Sequence, residues 1–532
     1  MFFQFFTSLG WSSNKWSLLF LNTFAGALLI VLSHSTAFPL SDVNFFFFSF
    51  IGLLFALYRP AWVFLLLVGM LPYEIIDLMP LGYGNFSLRP YQWLVVLLSF
   101  SLVIRYFLKR FPVEKFTPRI WDFSILVVGM SAFLSASMST QPATAFKLSL
   151  ILLSFILFYF ITRLFIRSLD DGTTLLPFIL SSFLVVSIYA LVQNIFFLNG
   201  IESNEVMPGR PNATFSEADW LGGYLSTLLV LLSALILFFE NRLSDTSFRI
   251  LRYIFSFLLF IGAIALLLSV SRSAWLATFA GISTLVILFL KQNQFFQAVK
   301  TYNRDILLRL ARTGLLIVLP FIVALLIISL LRLSPFDLLD RSRSTATGEQ
   351  KITVACPSET ILPAKIASTE ELISYGCAHI RLEEIESKKN AGKYVTEIFR
   401  NDPNVHIRAS IYVRVFQILK EHPYFGIGLG NISSFLGTDE RGTGLNASNI
   451  FLEIWLGTGI VGFVAFLFFW CGLLWQGILS HFRKISSLLF FLLPLWVTLT
   501  VFNFFNSGLM LGFFFFFLAL LPVLDSRTDK NI

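Results

Sequence analysis

Long apolar runs recur along almost the whole chain of 532 residues, separated by short polar connections. Most of these runs hold about 17 to 25 residues, the length that crosses a hydrocarbon core of about 30 Å as an α-helix. Hydrophobic residues make up 56% of the chain and charged residues 13%, which is more apolar surface than a water-soluble fold can bury. The sequence therefore predicts a polytopic helical membrane protein.

The runs predict about fourteen spans, so the expected fold class is all-α, a membrane helix bundle with one large periplasmic loop. The predicted spans cover roughly 17–34, 43–57, 60–76, 91–107, 121–137, 145–166, 175–199, 220–239, 251–269, 273–290, 313–331, 449–475, 486–503 and 507–524. We divide the chain into N-terminal membrane helices (1–199), membrane helices with outer arginine motifs (200–331), the periplasmic loop (332–448) and C-terminal membrane helices (449–532).

Lysine and arginine residues are concentrated in alternate connections between the spans. One such connection holds Lys109, Arg110, Lys115 and Arg119, and the C-terminal tail holds Arg527 and Lys530. Because basic residues accumulate on the cytoplasmic side, these connections and both termini are expected in the cytoplasm. The net charge of +8 then reflects membrane topology, and no nucleic-acid partner is expected. No glycine-rich phosphate loop is present, so ATP hydrolysis is not expected.

The segment 332–448 is polar and lies on the outer face, where it is expected to hold a small folded subdomain. Cys356 and Cys377 both fall in this segment, whereas Cys471 falls inside a span. In an oxidising compartment such a pair predicts a disulfide, with two free thiols as the alternative. A zinc site would have only His379 as a third ligand, so no metal is expected.

Near the end of this loop, residues 407–421 carry apolar side chains at helical intervals. Ile407, Ile411, Val415 and Ile418 share one face of the predicted helix. The pattern predicts an amphipathic helix that lies along the membrane surface and ends at His422.

Several arginines fall on the outer side, against the general charge pattern. Arg210 lies in the stiff segment PGRP before span eight, Arg272 lies in the short turn SVSRSAW, and Arg408 lies at the start of the amphipathic helix. The planar guanidinium stays charged and matches phosphate oxygens, so several arginines around one cavity would hold a diphosphate without a metal. The alternative for each is a contact with lipid headgroups or with a local carboxylate such as Glu217.

Two glycine patterns follow the outer loop. The segment HPYFGIGLGN contains Gly426, Gly428 and Gly430, and the first half of span twelve contains Gly457, Gly459 and Gly462. Glycine at these positions permits close helix packing or a local break in the span.

Four segments in order resemble the signature segments of the O-antigen ligase and polymerase family of bacterial envelope glycosyltransferases. They are RPNATFSEADWLGGYL, SRSAWLATFAGI, the register from Arg408 to Pro423 followed by GIGLGN, and SNIFLEIWLGTGIVG. The resemblance covers about residues 205–470 and implies transfer of a glycan from an undecaprenyl-diphosphate carrier to an acceptor hydroxyl, on the periplasmic face, without a cofactor. It implies that Arg210, Arg272 and Arg408 hold the diphosphate, with Arg414 as a weaker candidate.

The chain departs from the family pattern at one position. Ligases of this family usually have His-Asn at the start of the span-twelve motif, and this chain has Ser448 before Asn449. A serine hydroxyl needs a partner to take a proton, so the usual general base is absent. The replacement candidates are Glu217, Asp219, Glu453 and His422, or no residue if the acceptor needs only to be positioned.

The resemblance leaves polymerase and ligase open, and the missing histidine favours polymerisation or an unusual acceptor. The expected partners are the carrier-linked glycan, an acceptor glycan or lipid, the bilayer of the bacterial inner membrane and other envelope polysaccharide assembly proteins. A flippase or exporter of lipid-linked oligosaccharides is an alternative, but it predicts charges at span centres and a repeat between halves, which the sequence lacks. An inactive scaffold in an envelope assembly complex is the other alternative.

Overall fold

The computed structural model describes residues 13–523, except for 36–37, 81–86, 111–117, 168, 241–245, 293–300, 302, 337, 339–346, 368, 381–383, 402, 439–443 and 483–485. Lys115, Arg527 and Lys530, on which part of the predicted topology rests, lie outside the described residues.

Helices make up most of the described chain. They are α1 (Ser13–Ser33), α2 (Asp42–Tyr58), α3 (Pro60–Gly69), α4 (Pro90–Phe107), α5 (Ile120–Ser137), α6 (Pro142–Phe165), α7 (Leu169–Leu198), α8 (Ala218–Glu240), α9 (Thr246–Leu268), α10 (Arg272–Gln292), α11 (Arg304–Leu330), α12 (Glu371–Ser374), α13 (Ile385–Asn390), α14 (Pro403–Glu421), α15 (Ile432–Leu436), α16 (Ile450–Phe482), α17 (Ser486–Phe505) and α18 (Gly512–Val523).

Ten helices in the described part of the chain are long and apolar enough to cross a membrane. Shorter apolar helices occupy Asp42–Tyr58, Pro60–Gly69, Phe491–Phe505 and Gly512–Leu521. The predicted polytopic helical membrane fold is therefore confirmed, whereas the number of about fourteen spans stays a prediction.

The third predicted span, 60–76, is wrong in its second half, because α3 ends at Gly69 after 10 residues, about 15 Å. The segment that follows is mostly buried and is not helical. The backbone N–H groups of Glu74 and Ile75 both donate to the carbonyl of Thr214, at 2.9 and 3.0 Å. Apolar sequence continues past Gly69, but this distant partner satisfies the backbone groups that a helix would otherwise satisfy.

The centre of the bundle is filled by α18. Phe513, Phe514, Phe515, Phe516 and Phe517 are each at most 2% exposed. Two of them stack on aromatic residues of α6, Phe515 on Phe155 at 5.3 Å and Phe516 on Phe158 at 6.3 Å between ring centroids. A short helix that is apolar on all sides is stable here because protein surrounds it.

The segment 332–448, predicted to be the periplasmic loop, contains a four-stranded sheet that was not expected from the sequence. Its strands are β1 (Glu349–Cys356), β2 (Lys365–Ile366), β3 (Ala378–His379) and β4 (Tyr394–Asn401). They lie in the order β2-β4-β1-β3, and β1 pairs antiparallel with β4 over its whole length. The sulfur atoms of Cys356 and Cys377 are bonded, as predicted, and both side chains lie in the core of this subdomain.

The predicted amphipathic helix is present as α14. Ile411, Val415 and Ile418 are buried, and they pack with Ile427 and Leu456 rather than with an open surface. The apolar face of α14 is therefore covered by protein, and its placement along the membrane surface stays a prediction.

The helix α16 is interrupted at one residue, and the backbone groups on either side of the break bind residues 424–427. Gly459 has a φ of 70° and a ψ of −174°, outside the helical region. The interrupted hydrogen bonds are replaced across the two segments, since Ile427 N donates to Leu456 O at 2.7 Å and Ile460 N donates to Tyr424 O at 3.1 Å. The glycines of span twelve thus provide both the close packing and the local break that the sequence allowed.

We predict that Gly459→Ala destabilises the protein by about 3 kcal/mol or more, because the backbone conformation is one that only glycine adopts readily. An added Cβ would also overlap the carbonyl oxygen of Tyr424. Thermal unfolding in detergent measures the effect. Gly314→Ala is the matched control, since an added Cβ there has no atom within 4 Å. Equal melting temperatures for the two variants would contradict the prediction.

Candidate functional site

The loop before α8 holds Arg210 in a rigid conformation. The side chain of Asn212 accepts from Val206 N at 3.1 Å, and Gly209 has a φ of 75°. Arg210 Nε donates to the carbonyl of Ser269 at 3.1 Å, and its terminal nitrogen pairs with Asp219 Oδ1 at 3.3 Å. The Arg210 side chain is only 15% exposed, and its two bonds attach this loop to both α8 and the turn after α9.

Arg272 is the first residue of α10, after a turn of three residues from α9, as the sequence predicted. A cation at a helix N-terminus is disfavoured by the helix dipole, whereas an anion bound there is favoured. The next residue, Ser273, is 9% exposed, and its hydroxyl accepts from Asn506 Nδ2 at 2.7 Å. Gly222 of α8 lies so close that an added Cβ would be 2.8 Å from the Cβ of Ser271, which places α8 directly against this turn.

Arg408 binds at the C-terminal end of α17. One terminal nitrogen of Arg408 donates to Phe505 O at 3.2 Å, and its Cζ lies 5.7 Å from the centre of the Phe505 ring. Tyr412 and Asn449 both donate to Phe504 O, at 3.5 and 3.2 Å. The last carbonyl groups of a helix lack partners within the helix and carry partial negative charge, so a guanidinium is stabilised there.

The three arginines predicted to act together are therefore joined by one series of contacts. Arg210 binds the turn that precedes Arg272, and Asn506 links the residue after Arg272 to the turn that binds Arg408. Arg414 is exposed on α14, six residues beyond Arg408 and on another side of the helix. The segments that carry Arg210, Arg272 and Arg408 are thus in contact with one another or with the end of α17.

The carboxylates predicted as candidate bases differ in their partners and in their exposure. Asp219 is paired with Arg210, and Glu217 is exposed immediately before α8. Glu453 is half-buried, and its Oε2 accepts from Ala447 N at 2.8 Å, which fixes the loop that enters α16. The structure therefore gives Glu453 a backbone-binding role.

His422 lies away from the arginines. It follows the last residue of α14, so about 21 Å of helix separates it from Arg408. The ring is exposed and lies edge-on to Phe435, at 6.2 Å between centroids. The structure therefore does not place His422 beside Arg408.

Asn449 has both of its side-chain ends engaged. Its Oδ1 accepts from Phe451 N at 2.9 Å and from Leu452 N at 3.2 Å, which caps the N-terminus of α16, while Nδ2 binds Phe504. Gly426 and Gly428 have positive φ values and pack closely, Gly426 against the carbonyl of Leu456 in α16 and Gly428 against α6. These motif residues hold together the backbone segments around the site, which we call its frame.

Sequence reasoning missed two polar residues near the arginines. The sequence contained a signal for Asn506, because this polar residue interrupts the apolar run VFNFFNSGLM. Glu205 lies in the same loop as Arg210, and its Oε2 accepts from Gly209 N at 2.8 Å. Burial raises the pKa of Glu205 to about 7, although the bond from Gly209 opposes the shift. Burial thus favours the protonated form of Glu205 within the loop that carries Arg210.

Among the residues that the structure describes, no three His, Cys, Asp or Glu side chains come together as a metal site.

Residues 257–467 match the family model described as O-antigen ligase. The matched region contains Arg272, Arg408 and Asn449, whereas Arg210 precedes it. The match confirms the resemblance found in the sequence and supports assignment to the O-antigen ligase and polymerase family. No curated protein and no solved structure matches the chain.

We predict that Asn449→Ala lowers the free energy of unfolding by about 1 kcal/mol or more, because the helix cap and the bond to Phe504 are both lost. Asn449→Asp keeps an oxygen for the cap and is expected to lower it less. Chemical or thermal unfolding in detergent compares the two variants. An equal loss for Asn449→Asp and Asn449→Ala would contradict the prediction and show that the bond to Phe504, rather than the cap, dominates.

Proposed function

We propose that this chain, on its assignment to the O-antigen ligase and polymerase family, transfers a glycan from an undecaprenyl-diphosphate carrier to an acceptor hydroxyl. The site faces the periplasm from the bacterial inner membrane, and both termini are cytoplasmic. The partners are the carrier-linked glycan, an acceptor glycan or lipid, the bilayer and other proteins of envelope polysaccharide assembly. Arginines rather than a metal ion hold the diphosphate.

The observation that carries this proposal is the series of contacts that joins Arg210, Arg272 and Arg408. In the reaction, the bond between the sugar C1 and the diphosphate oxygen breaks, and the electron pair leaves with the diphosphate. Guanidinium groups fixed beforehand by Asp219, Ser269 and Phe505 stabilise this growing negative charge without reorganising. The N-terminus of α10 adds its dipole beside Arg272.

The acceptor oxygen bonds to C1 and loses its proton. Ser448 does not take this proton unaided, and Glu453 is already bound to Ala447 N. Glu217 is exposed next to the helix that carries Asp219, so we assign it as the base. Its position before α8 places it on the same side of the bundle as Arg210.

The absence of histidine at position 448 favours a polymerase or an unusual acceptor over a standard ligase. A flippase for lipid-linked oligosaccharides is the second candidate function, because outer arginines would also bind a diphosphate that is only being moved. An inactive scaffold would keep the same arginine contacts as structural features. The experiments below separate these three functions.

We predict that Arg272→Ala lowers glycan transfer about 10²-fold, the effect of removing one preorganised donor. The envelope glycan profile is compared in cells that lack the protein and express either the wild type or the variant at equal levels. Arg332→Ala, an exposed arginine after α11, is the matched control and should restore the wild-type profile.

The same profile identifies the reaction. Acceptors with a single repeat in the deletion strain indicate a polymerase, and bare acceptors with accumulated carrier-linked chains indicate a ligase. Carrier-linked units trapped on the cytoplasmic face indicate the flippase. Full rescue by Arg272→Ala contradicts the role of arginine in holding the diphosphate and supports the scaffold.

We predict that Glu453→Gln retains glycan transfer within about threefold, because an amide oxygen can still accept from Ala447 N. Glu217→Gln is expected to lose about 10²-fold, the contribution of a general base. Both variants are assayed in membranes with carrier-linked glycan from the same cells. An inactive Glu453→Gln variant with normal thermal stability would instead identify Glu453 as the base.

A further inference from the structure

Asn506 connects two helices at the outer side of the bundle. Its Nδ2 donates to the carbonyl of Phe502 in its own helix at 3.3 Å and to the hydroxyl of Ser273 in α10 at 2.7 Å. The two residues are 233 positions apart in the chain. The shorter of the two bonds is the one that crosses between helices, and it ends one residue after Arg272.

The residue before Asn506 supports the second arginine. Arg408 donates to the carbonyl of Phe505, so the supports of the two arginines are adjacent in the chain. A single path therefore runs from Arg272 through Ser273, Asn506 and Phe505 to Arg408. A shift of residues 505–506 relative to α10 would therefore move the carbonyl that binds Arg408 relative to the residue that follows Arg272.

The nearby Asn503 has a different structural role. Asn503 is buried, and its side chain donates to Leu499 O at 2.9 Å and accepts from Gly508 N at 2.8 Å. It therefore holds the turn after α17 together from within. Below this turn, α10 and α17 pack closely at Gly281, where an added Cβ would overlap Thr498 Oγ1. Gly281 is nine residues, or about 14 Å, from Arg272, so it does not fix the outer ends.

We propose that Asn506 is a positioning residue that holds Arg272 and Arg408 at a fixed separation so that both bind one diphosphate. The proposal rests on the proposed function, since it needs a ligand that both arginines contact. A displacement of about 1 Å at a preorganised site can cost up to 10²-fold in rate. Asn506 itself does not touch the reacting atoms and acts through the two arginines.

The test measures kcat and KM with purified protein in liposomes. The substrate is carrier-linked glycan isolated from the cells in which the protein naturally occurs. The variants are Asn506→Ala, Ser273→Ala, the double variant, Ser273→Thr and Asn506→Asp. Asn199→Ala and Asn199→Asp are matched controls, because exposed Asn199 also donates to its own helix, to Ile195 O at 2.7 Å, at an outer helix end. Thermal unfolding of every variant reports whether the fold is kept.

Asn506→Ala and Ser273→Ala should each lower kcat/KM about tenfold, and the double variant should be no worse than either, because both lose the same bond. Ser273→Thr keeps the hydroxyl and should restore activity. Asn506→Asp should raise KM more than Asn506→Ala does, since its carboxylate competes with the diphosphate for the arginines. The Asn199 variants should behave as the wild type.

Additive effects of the two alanine variants would overturn the proposal, as would equal KM values for Asn506→Ala and Asn506→Asp. If Asn506→Ala fails to fold, the comparison of Ser273→Ala with Ser273→Thr decides the same question from the other end of the bond. Full activity of Arg272→Ala would instead refute the proposed function. Loss of activity in Arg272→Ala with unchanged Asn506 variants refutes only the positioning role.

Discussion

The fold depends on one constraint, which is that backbone N–H and C=O groups inside a membrane must find partners within the protein. The helices satisfy most of them internally. Where a helix stops early, another segment supplies the partners. Thr214 does so after α3, residues 424–427 do so at the break in α16, and Arg408 and Asn449 do so at the end of α17. These three places hold the outer loop segments against the bundle.

The candidate site lies at such a helix end, and there is a physical reason for this. Carbonyl groups at the end of α17 attract the guanidinium of Arg408, and the N-terminus of α10 makes the neighbourhood of Arg272 favourable for an anion. On the proposed function, side chains that form structural bonds therefore also bind the ligand. Loss of Arg408 removes a bond to Phe505 as well as a charge, so stability and activity have to be measured together.

Local patterns in the sequence predicted the features that depend on local physics. Apolar runs located most helices, helical spacing located α14, and the short connection around Arg272 fixed that residue at a helix start. Features that depend on distant partners were missed. The end of α3 depends on Thr214, about 140 residues away, and the role of Asn506 depends on Ser273, 233 residues away. The sheet was missed because its short strands lie in a polar segment without a strong alternating pattern.

Ser448 and Asn449 are adjacent but have different roles. Asn449 holds the segments of the site together, whereas position 448 is the one at which the chemistry departs from the family pattern. Asn449 makes bonds to Phe451, Leu452 and Phe504, so an asparagine is needed there whatever reaction takes place. The hydroxyl of Ser448 lies 3.4 Å from Asn446 Oδ1, and its backbone N–H binds the same oxygen at 2.8 Å. Serine in place of the usual histidine at position 448 therefore keeps this bond, because the bond comes from the backbone. On the proposed function, the arginines that bind the donor are kept, and the step that differs from a histidine-containing ligase is activation of the acceptor.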